Sequence, residues 1–419
     1  VKVVLLNKSD SVGGAAVAAH RLTAALHNSG LGAKMLVSEG MQSVLTDVAN
    51  KTGWQQQMAN ARFLLERLSF LPYEKNALER FSFSPANTGM DITKHPLVKD
   101  ADIIHLHWIN QGFLSLNSLQ KLFETGKPIV WTLHDMWAFT GGCHYNGTCH
   151  EFLESCGHCL FLNRPHANDL SAKQLARKKK IYKNANLHLV TCSKWLKSLA
   201  SESTLLRNKP CHVIPNPIDT EFYKPLDKFE CRVKLRLPTD KKLLLFGAAN
   251  ILDPRKGIRY LTESLDMLYE NFPVLHDKLE LVVFGKVRAG EQPKFPFKTH
   301  FMRYVADIKT LVQLYNAADA YVLPSLQDNL PNTVMESMSC ATPVIGFRIG
   351  GVPEMIEHEK SGYLSEVRNA LSLSTGIYET LFINDSAKMG EAARQKVLNH
   401  YAEDIVARQY IDVYRKALE

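Results

Sequence analysis

Asp328 and Glu336 stand eight positions apart in the segment Pro324-Ser325-Leu326-Gln327-Asp328-Asn329-Leu330-Pro331-Asn332-Thr333-Val334-Met335-Glu336. The apolar run just before it, Ala320–Leu323, has the length of a buried parallel strand, and Pro331 suits a first helical turn, where its missing N–H is no loss. The backbone N–H groups of Asn332 and Thr333 then stand at the positive end of a helix, which accepts phosphate oxygens without a cationic side chain. Glu336 follows about one turn later, where its carboxylate can take both hydroxyls of a ribose. The spacing therefore suits a nucleotide carrying a sugar. Each residue also has an ordinary use, with Asp328 or Asn329 as a helix N-cap and Glu336 as a helix glutamate.

The chain continues with Ser337-Met338-Ser339-Cys340-Ala341-Thr342-Pro343-Val344-Ile345-Gly346 and then Gly350-Gly351-Val352-Pro353-Glu354-Met355-Ile356. Two acidic residues with seven between them, a small-residue turn, Thr-Pro-Val and Gly-Gly-x-x-Glu together resemble family 4 of the retaining glycosyltransferases. The resemblance covers nearly the whole chain and is most specific over residues 243–364. It implies an α/β protein of GT-B fold, two Rossmann-like domains facing across a cleft. Residues 1–215 would form the acceptor domain and 216–400 the nucleotide-sugar donor domain, with a C-terminal helix, 401–419, packing back on the first.

Residue by residue, the resemblance places Lys256 on the donor diphosphate, Glu336 on the ribose, Asp328 at the sugar hydroxyls, and the amides of Asn332 and Thr333 at the phosphate. Asn329, Leu330, Arg255 and Gly14 fall on the donor-binding side. His134 closes a strand as Thr-x-His and would face the transferred sugar, which makes His134 and Asp328 the catalytic pair. Two positions depart from the family. Asp328 replaces the usual glutamate and is one methylene shorter, and Ala248 stands where many members carry a phosphate-binding arginine, with Arg255 nearby in sequence. A lysine and a helix N-terminus are what a departing nucleotide needs, because negative charge grows on its phosphate as the glycosidic bond breaks. No cofactor is required for that chemistry.

The elements that must carry these residues repeat a strand, turn, helix pattern. Residues 1–6 are apolar and lead through Ser11-Val12-Gly13-Gly14 into an apolar-periodic helix. The three-glycine dinucleotide fingerprint is absent, so a nicotinamide or flavin site is not supported. Gly13 and Gly14 serve either a tight turn or a close approach of backbone to phosphate or sugar. Residues 102–108 and 128–135 read as buried parallel strands, which puts His105, His107, His134 and Asp135 at carboxyl ends, where ligands collect in open α/β sheets; His105 and His107 also fit as core histidines. The prolines of residues 213–225 mark a linker. The second half restarts with a strand at 243–246, continues into Asp253-Pro254-Arg255-Lys256-Gly257, and ends in a helical pattern over 401–418.

Four of the eight cysteines, Cys143, Cys149, Cys156 and Cys159, fall within one short stretch together with His144, His150 and His158. The terminal Cys-Gly-His-Cys has the form of a metal knuckle, and a structural zinc is expected, although the first pair is wider than common zinc spacings. Buried or reactive thiols and a disulfide are the alternatives, the last disfavoured by the expected cytoplasmic compartment.

At 419 residues the chain is long for one core, so two domains are expected. No apolar stretch reaches the roughly 20 residues that span a bilayer, and residues 1–6 are too short for a signal peptide. The net charge of +8 is uneven, with Arg177-Lys178-Lys179-Lys180 the densest run. That run is either a solvated helix face or a contact with an anionic membrane, which would set the protein peripherally on the inner face, where a lipid-linked acceptor is found. Nucleic acid is not an expected partner, since no reading module or interleaving of aromatic with basic residues is present. Two rival readings remain at this level: a nucleotide-sugar epimerase of the same fold, and a non-catalytic, metal-stapled binder of polyanions.

Overall fold

The computed structural model describes Val1–Glu419 apart from Leu78 and Ala289. Its contacts divide the chain into a first unit, Val1–Pro217 with Val406–Glu419, and a second unit, Ile218–Ile405.

The first unit opens with β1 (Lys2–Ser9), α1 (Gly14–Asn28), β2 (Gly32–Glu39), β3 (Thr46–Val48) and α2 (Gly53–Phe70). It continues with α3 (Pro96–Asp100), β4 (Ile103–Leu106), α4 (Leu116–Phe123) and β5 (Ile129–Leu133), then α5 (Leu170–Tyr182), β6 (Leu187–Thr191), α6 (Lys194–Glu202) and β7 (Cys211–Val213). All seven strands pair in parallel in the order β3-β2-β1-β4-β5-β6-β7. Successive strand residues point to opposite faces, and both faces are covered, so the central strands are mostly apolar. Val4, Leu6, Ile104, Leu106, Trp131 and Leu189 enter one core with α4, α5 and α6. Val3, Leu5, Ile103, Val130 and Val190 enter the other.

The second unit contains α7 (Lys228–Leu235), β8 (Lys242–Asn250), α8 (Ile258–Asn271), β9 (Leu279–Lys286), β10 (Thr299–Phe301), α9 (Ile308–Ala317) and β11 (Ala320–Leu323). These are followed by α10 (Asn332–Ser339), β12 (Val344–Phe347), α11 (Val352–Met355), β13 (Gly362–Ser365), α12 (Ala370–Tyr378) and α13 (Ser386–His400). Its sheet is parallel in the order β10-β9-β8-β11-β12-β13. Leu244, Phe246, Leu281, Val322 and Ile345 pack on one face against Leu261 and Leu265 of α8 and Leu373 of α12.

The last helix, α14 (Glu403–Leu418), returns the chain to the first unit, where Val406, Tyr410, Val413 and Tyr414 join the second core. The polar strand residues beneath it are matched to its tyrosines. His105 bonds Tyr414 at 2.8 Å and Thr132 at 2.7 Å, and Thr132 bonds Tyr410 at 2.9 Å. His105 is fully buried and is a core residue.

In each sheet the strand formed first lies inside, and the chain reverses direction beside it: between β1 and β4 in the first unit and between β8 and β11 in the second. Crevices at the carboxyl ends of strands at such reversals are where open α/β sheets bind ligands.

Candidate functional site

In the second unit two loops meet at the reversal. After β8, Asp253 caps a short 3-10 turn, Pro254–Lys256, by accepting from the Arg255 amide at 3.0 Å. Gly257 ends that turn at φ 66° and precedes α8. After β11 comes the loop from Pro324 to Pro331, with Pro331 as the residue before α10 and Asn332 and Thr333 as its first two residues. The loops are stitched together by backbone: the Leu326 amide donates to the Arg255 carbonyl at 2.7 Å. Side chains complete the seam, with Lys256 Nζ 2.8 Å from Asp328 Oδ2. Tyr321 joins the same two strands from within, its hydroxyl donating to the Gly247 carbonyl at 3.0 Å.

The structure thus brings Lys256, Asp328 and the amino end of α10 to one end of one sheet. That end combines a cation, a carboxylate and the positive pole of a helix, a set that binds a phosphate and the polar group attached to it. Glu336 lies in α10 but is not the surface glutamate its helical setting suggests, being 5% exposed, with Oε2 accepting from the Tyr315 hydroxyl at 2.9 Å. Burial, and then the adjacent Glu336, hold the Tyr315 phenol far above its usual range, so it stays a donor. Asn329 and Leu330 are also buried. Arg255 turns to Asp253, with Nη2 at 2.7 Å from Oδ2. Ser325 Oγ is buried in this loop without a hydrogen-bond partner among the described residues. Tyr315 and Gly257 are contributors that the motif does not announce, although a glycine immediately after Arg-Lys at a helix start is a signal for a left-handed turn.

In the first unit the carboxyl ends of β1, β4 and β5 form the corresponding region. Asn7 locks β1 to β4 by accepting from the Trp108 amide at 2.8 Å. Gly13 takes φ 92° just before Gly14, the first residue of α1, and a Cβ there would meet nothing within 4 Å. The helix start is therefore open to a close approach, and the positive φ explains the glycine. His134 follows β5. Its Nε2 lies 3.0 Å from His107 Nδ1 and its Nδ1 lies 3.7 Å from Cys192 Sγ. Burial pulls the His134 imidazole down to about 4, against the opposing pull of Asp135, so the ring is neutral near pH 7. Asp135 is kept below the usual carboxylate range: burial raises it, but His144 at 2.7 Å, the Trp137 amide and the Trp108 indole outweigh that. A neutral histidine with neighbours at both nitrogens is held in one ring orientation.

Two expectations need correction. The first is the structural zinc on Cys143, Cys149, Cys156 and Cys159. Among the described residues no group of three or more histidine, cysteine, aspartate or glutamate side chains is placed to hold a metal ion. These thiols serve packing instead: Cys156 belongs to the main core, and Cys159 clusters with Phe70, Phe83 and Leu162. Burial pushes the Cys156 thiol up to about 12 and Cys159 up to about 11. His144, within the same stretch, spends its nitrogens on Asp135 and Ser84.

The second is the basic run, which is not a surface of four charges. Lys178 is 1% exposed, its Nζ donating to the carbonyls of Trp137 and Thr140 above the Trp137 ring. Of the run, only Lys179 and Lys180 are exposed. Helical phase is the reason, since Lys178 shares the inward stripe of α5 with Leu175 and Tyr182.

Comparison with known proteins gives two family matches: residues 12–222 match the model described as Glycosyltransferase Family 4, and residues 227–396 the model described as Glycosyl transferases group 1. The chain is similar to WcaC of Escherichia coli K12, described as a colanic acid biosynthesis glycosyl transferase, at 25% identity over 330 residues, covering 75% of this chain and 76% of that one. Among solved structures it resembles sucrose-phosphate synthase of Thermosynechococcus elongatus, with a TM-score of 0.64 at 16% identity over 99% of both chains. It also resembles Anabaena HepE, solved with UDP-glucose, with a TM-score of 0.63 at 15% identity over 99% of both chains. These structural likenesses establish the GT-B fold.

Proposed function

Because this chain belongs to glycosyltransferase family 4 and moves a sugar from a nucleoside diphosphate to an acceptor, we propose that it is a retaining hexosyltransferase. The acceptor is a glycan or a lipid-linked glycan, and the work belongs to cell-surface polysaccharide or glycoconjugate synthesis at the inner face of an anionic membrane. The observation that carries the reading is Lys256 held at 2.8 Å from Asp328 ahead of the amino end of α10.

In this reading the diphosphate lies against Lys256 and the amides of Asn332 and Thr333. These groups stabilise the charge that develops on the leaving phosphate more than they stabilise the bound donor, which is what lowers the barrier. Asp328 receives sugar hydroxyls and, being committed to Lys256, has no free role as a nucleophile. The bond to the nucleotide breaks on the face where the acceptor oxygen adds, and the departing phosphate oxygen takes the acceptor proton, so the anomeric configuration is kept. Glu336 holds the ribose, and Tyr315 fixes its carboxylate. His134 orients, and its neutral ring is not assigned the base. Gly14, Arg255, Asn329 and Leu330 complete the donor-side set.

The relatives suggest where to begin: the HepE structure contains UDP-glucose and WcaC is described by a polysaccharide, so UDP-hexoses head the panel. The test is thermal unfolding of the protein with UDP-, GDP- and ADP-sugars. A donor at 100 times its dissociation constant adds about 2.7 kcal/mol. Stabilisation by one nucleotide class is expected, together with acceptor-dependent turnover and a product of unchanged anomeric configuration by NMR. Stabilisation by none of them, or conversion of the donor sugar without acceptor, would overturn the reading.

A further inference from the structure

Helix α2 turns its charged side chains inward and leaves several large apolar ones in the open. Thr52 and Gln55 form its N-terminal capping box, and its 18 residues make a rod about 27 Å long. The face turned into the first unit buries Ala59 and Phe70 but also takes in the helix's charged side chains. Arg62 donates to Asn50 at 3.1 Å and to the Gly112 carbonyl at 3.3 Å, Glu66 accepts from the Gly112 amide at 3.2 Å, and Arg67 pairs with Glu66 at 2.9 Å. The face turned outward carries large apolar side chains among exposed Gln56, Gln57, Asn60 and Ser69. Trp54 is 69% exposed, Leu64 57%, Leu65 56% and Leu68 58%, and just past the helix end Leu71 is 49% and Tyr73 44% exposed. Leucines buried by nothing, on a helix whose charges point inward, mark a surface that something covers.

The chemistry of the rim identifies what that is. The exposed cations Lys51 and Lys75 flank the two ends, Lys51 with Asp47 beside it at 2.8 Å. The acidic side chains of the same stretch are withdrawn, Glu66 to 0% exposure and the Glu74 side chain to 8%. The loop that Lys75 holds by its bond to the Leu160 carbonyl at 3.2 Å adds exposed Leu160 and Arg164. An indole at one end, a phenol at the other, leucines between and cations at the margin is the pattern of a helix lying in a lipid interface, with its aromatic groups at headgroup level. A second copy would set lysine against lysine on this face, whereas anionic headgroups complement it. No helix among the described residues is long and apolar enough to cross a membrane.

We propose that α2 docks the first unit onto an anionic bilayer by immersing the Trp54–Leu65–Leu68 face, with Lys51 and Lys75 at the headgroups. This rests on the membrane half of the proposed function and replaces the α5 run as the contact.

Vesicles made of phosphatidylcholine alone, or of phosphatidylcholine and phosphatidylglycerol in equal parts, test it by sedimentation. They contain neither donor nor acceptor, so the result is separate from that for sugar transfer. The native chain should bind the anionic vesicles, and combined Leu64→Gln, Leu65→Gln and Leu68→Gln should reduce partition at least tenfold without lowering the melting temperature. Lys51→Gln with Lys75→Gln should weaken binding about fivefold per charge on anionic vesicles only. Lys179→Gln with Lys180→Gln should leave binding within twofold. Equal binding by the native and leucine variants, loss of binding in the α5 variant, or no binding at all overturns the proposal. So does a native dimer, by light scattering, that the leucine substitutions convert to monomer.

Discussion

Replacing Gly257 by alanine should leave a folded protein with little transferase activity. The residue sits at φ 66°, ψ 26°, where an L side chain is strained by roughly 1–2 kcal/mol. A Cβ built there would lie 1.8 Å from the Pro324 carbonyl oxygen and 2.9 Å from its carbon, both below the 3.0 Å that real contacts respect. The obstacle is backbone at the end of β11, so the β8 and β11 loops must separate by about an ångström. The bond from the Leu326 amide to the Arg255 carbonyl, now 2.7 Å, lies in the same seam, and the Lys256–Asp328 pair is one residue from the substitution. Adding about 1–3 kcal/mol for overpacking gives a destabilisation of roughly 2–5 kcal/mol, within the ordinary margin of a stable domain. A misplacement of about 1 Å costs on the order of a hundredfold in rate. Initial rates and melting curves should be measured beside Gly53→Ala, a helix-start position where a Cβ meets nothing within 4 Å and little change is expected. Native kcat/KM in Gly257→Ala, whatever its melting temperature, would refute the view that this seam positions the donor.

Glu336→Gln keeps an acceptor for the Tyr315 hydroxyl and should retain stability while donor affinity, by calorimetry, falls about tenfold; Glu336→Ala strands that hydroxyl and should lose about 1–3 kcal/mol of stability as well. Burial holds the Lys178 ammonium at about 7 against an ordinary 10.5, so between those values the unfolded chain carries a proton that the folded chain lacks, and stability gains with rising pH. Lys178→Met should remove that gain, flattening the urea-unfolding free energy by up to about 1.4 kcal/mol per pH unit relative to the native chain over the same window. His105, lowered by burial to about 3, and His134, lowered to about 4, bind fewer protons folded than unfolded below 6.5. Stability should therefore fall as pH drops from 6.5 towards 4, and unchanged denaturation midpoints at pH 7 and pH 5 would contradict it.

The donor-side motif was legible because its geometry is local. Ala320–Leu323 is the strand its apolar run indicates, α10 begins after Pro331, and the glycine behind Lys256 sets a turn. What escaped depends on partners distant in sequence. The burial of Glu336 follows from Tyr315 on the preceding helix, and the partner that His105, readable as a core histidine, takes is Tyr414 at the far end of the chain. Spacing of cysteines says nothing about where their side chains point, and here they enter apolar clusters. For Lys178 a signal existed in its phase with Leu175 and Tyr182, which outweighs a run of like charges. β3, β7 and β10 have three residues each, too few to establish any period.

The return of α14 to the first sheet also sets an order of assembly on the ribosome. The second unit is one uninterrupted stretch, Ile218–Ile405, whereas the first lacks part of its core until Val406 and the residues after it emerge. Until then His105 and Thr132 have no tyrosine hydroxyls, and the core of Val3, Leu5 and Val130 has α1 but not α14 across it. The first unit can therefore complete its core only after the second has been synthesised, unlike the usual amino-terminal-first case. The half made earliest waits, incompletely sealed, through the synthesis of the half made later.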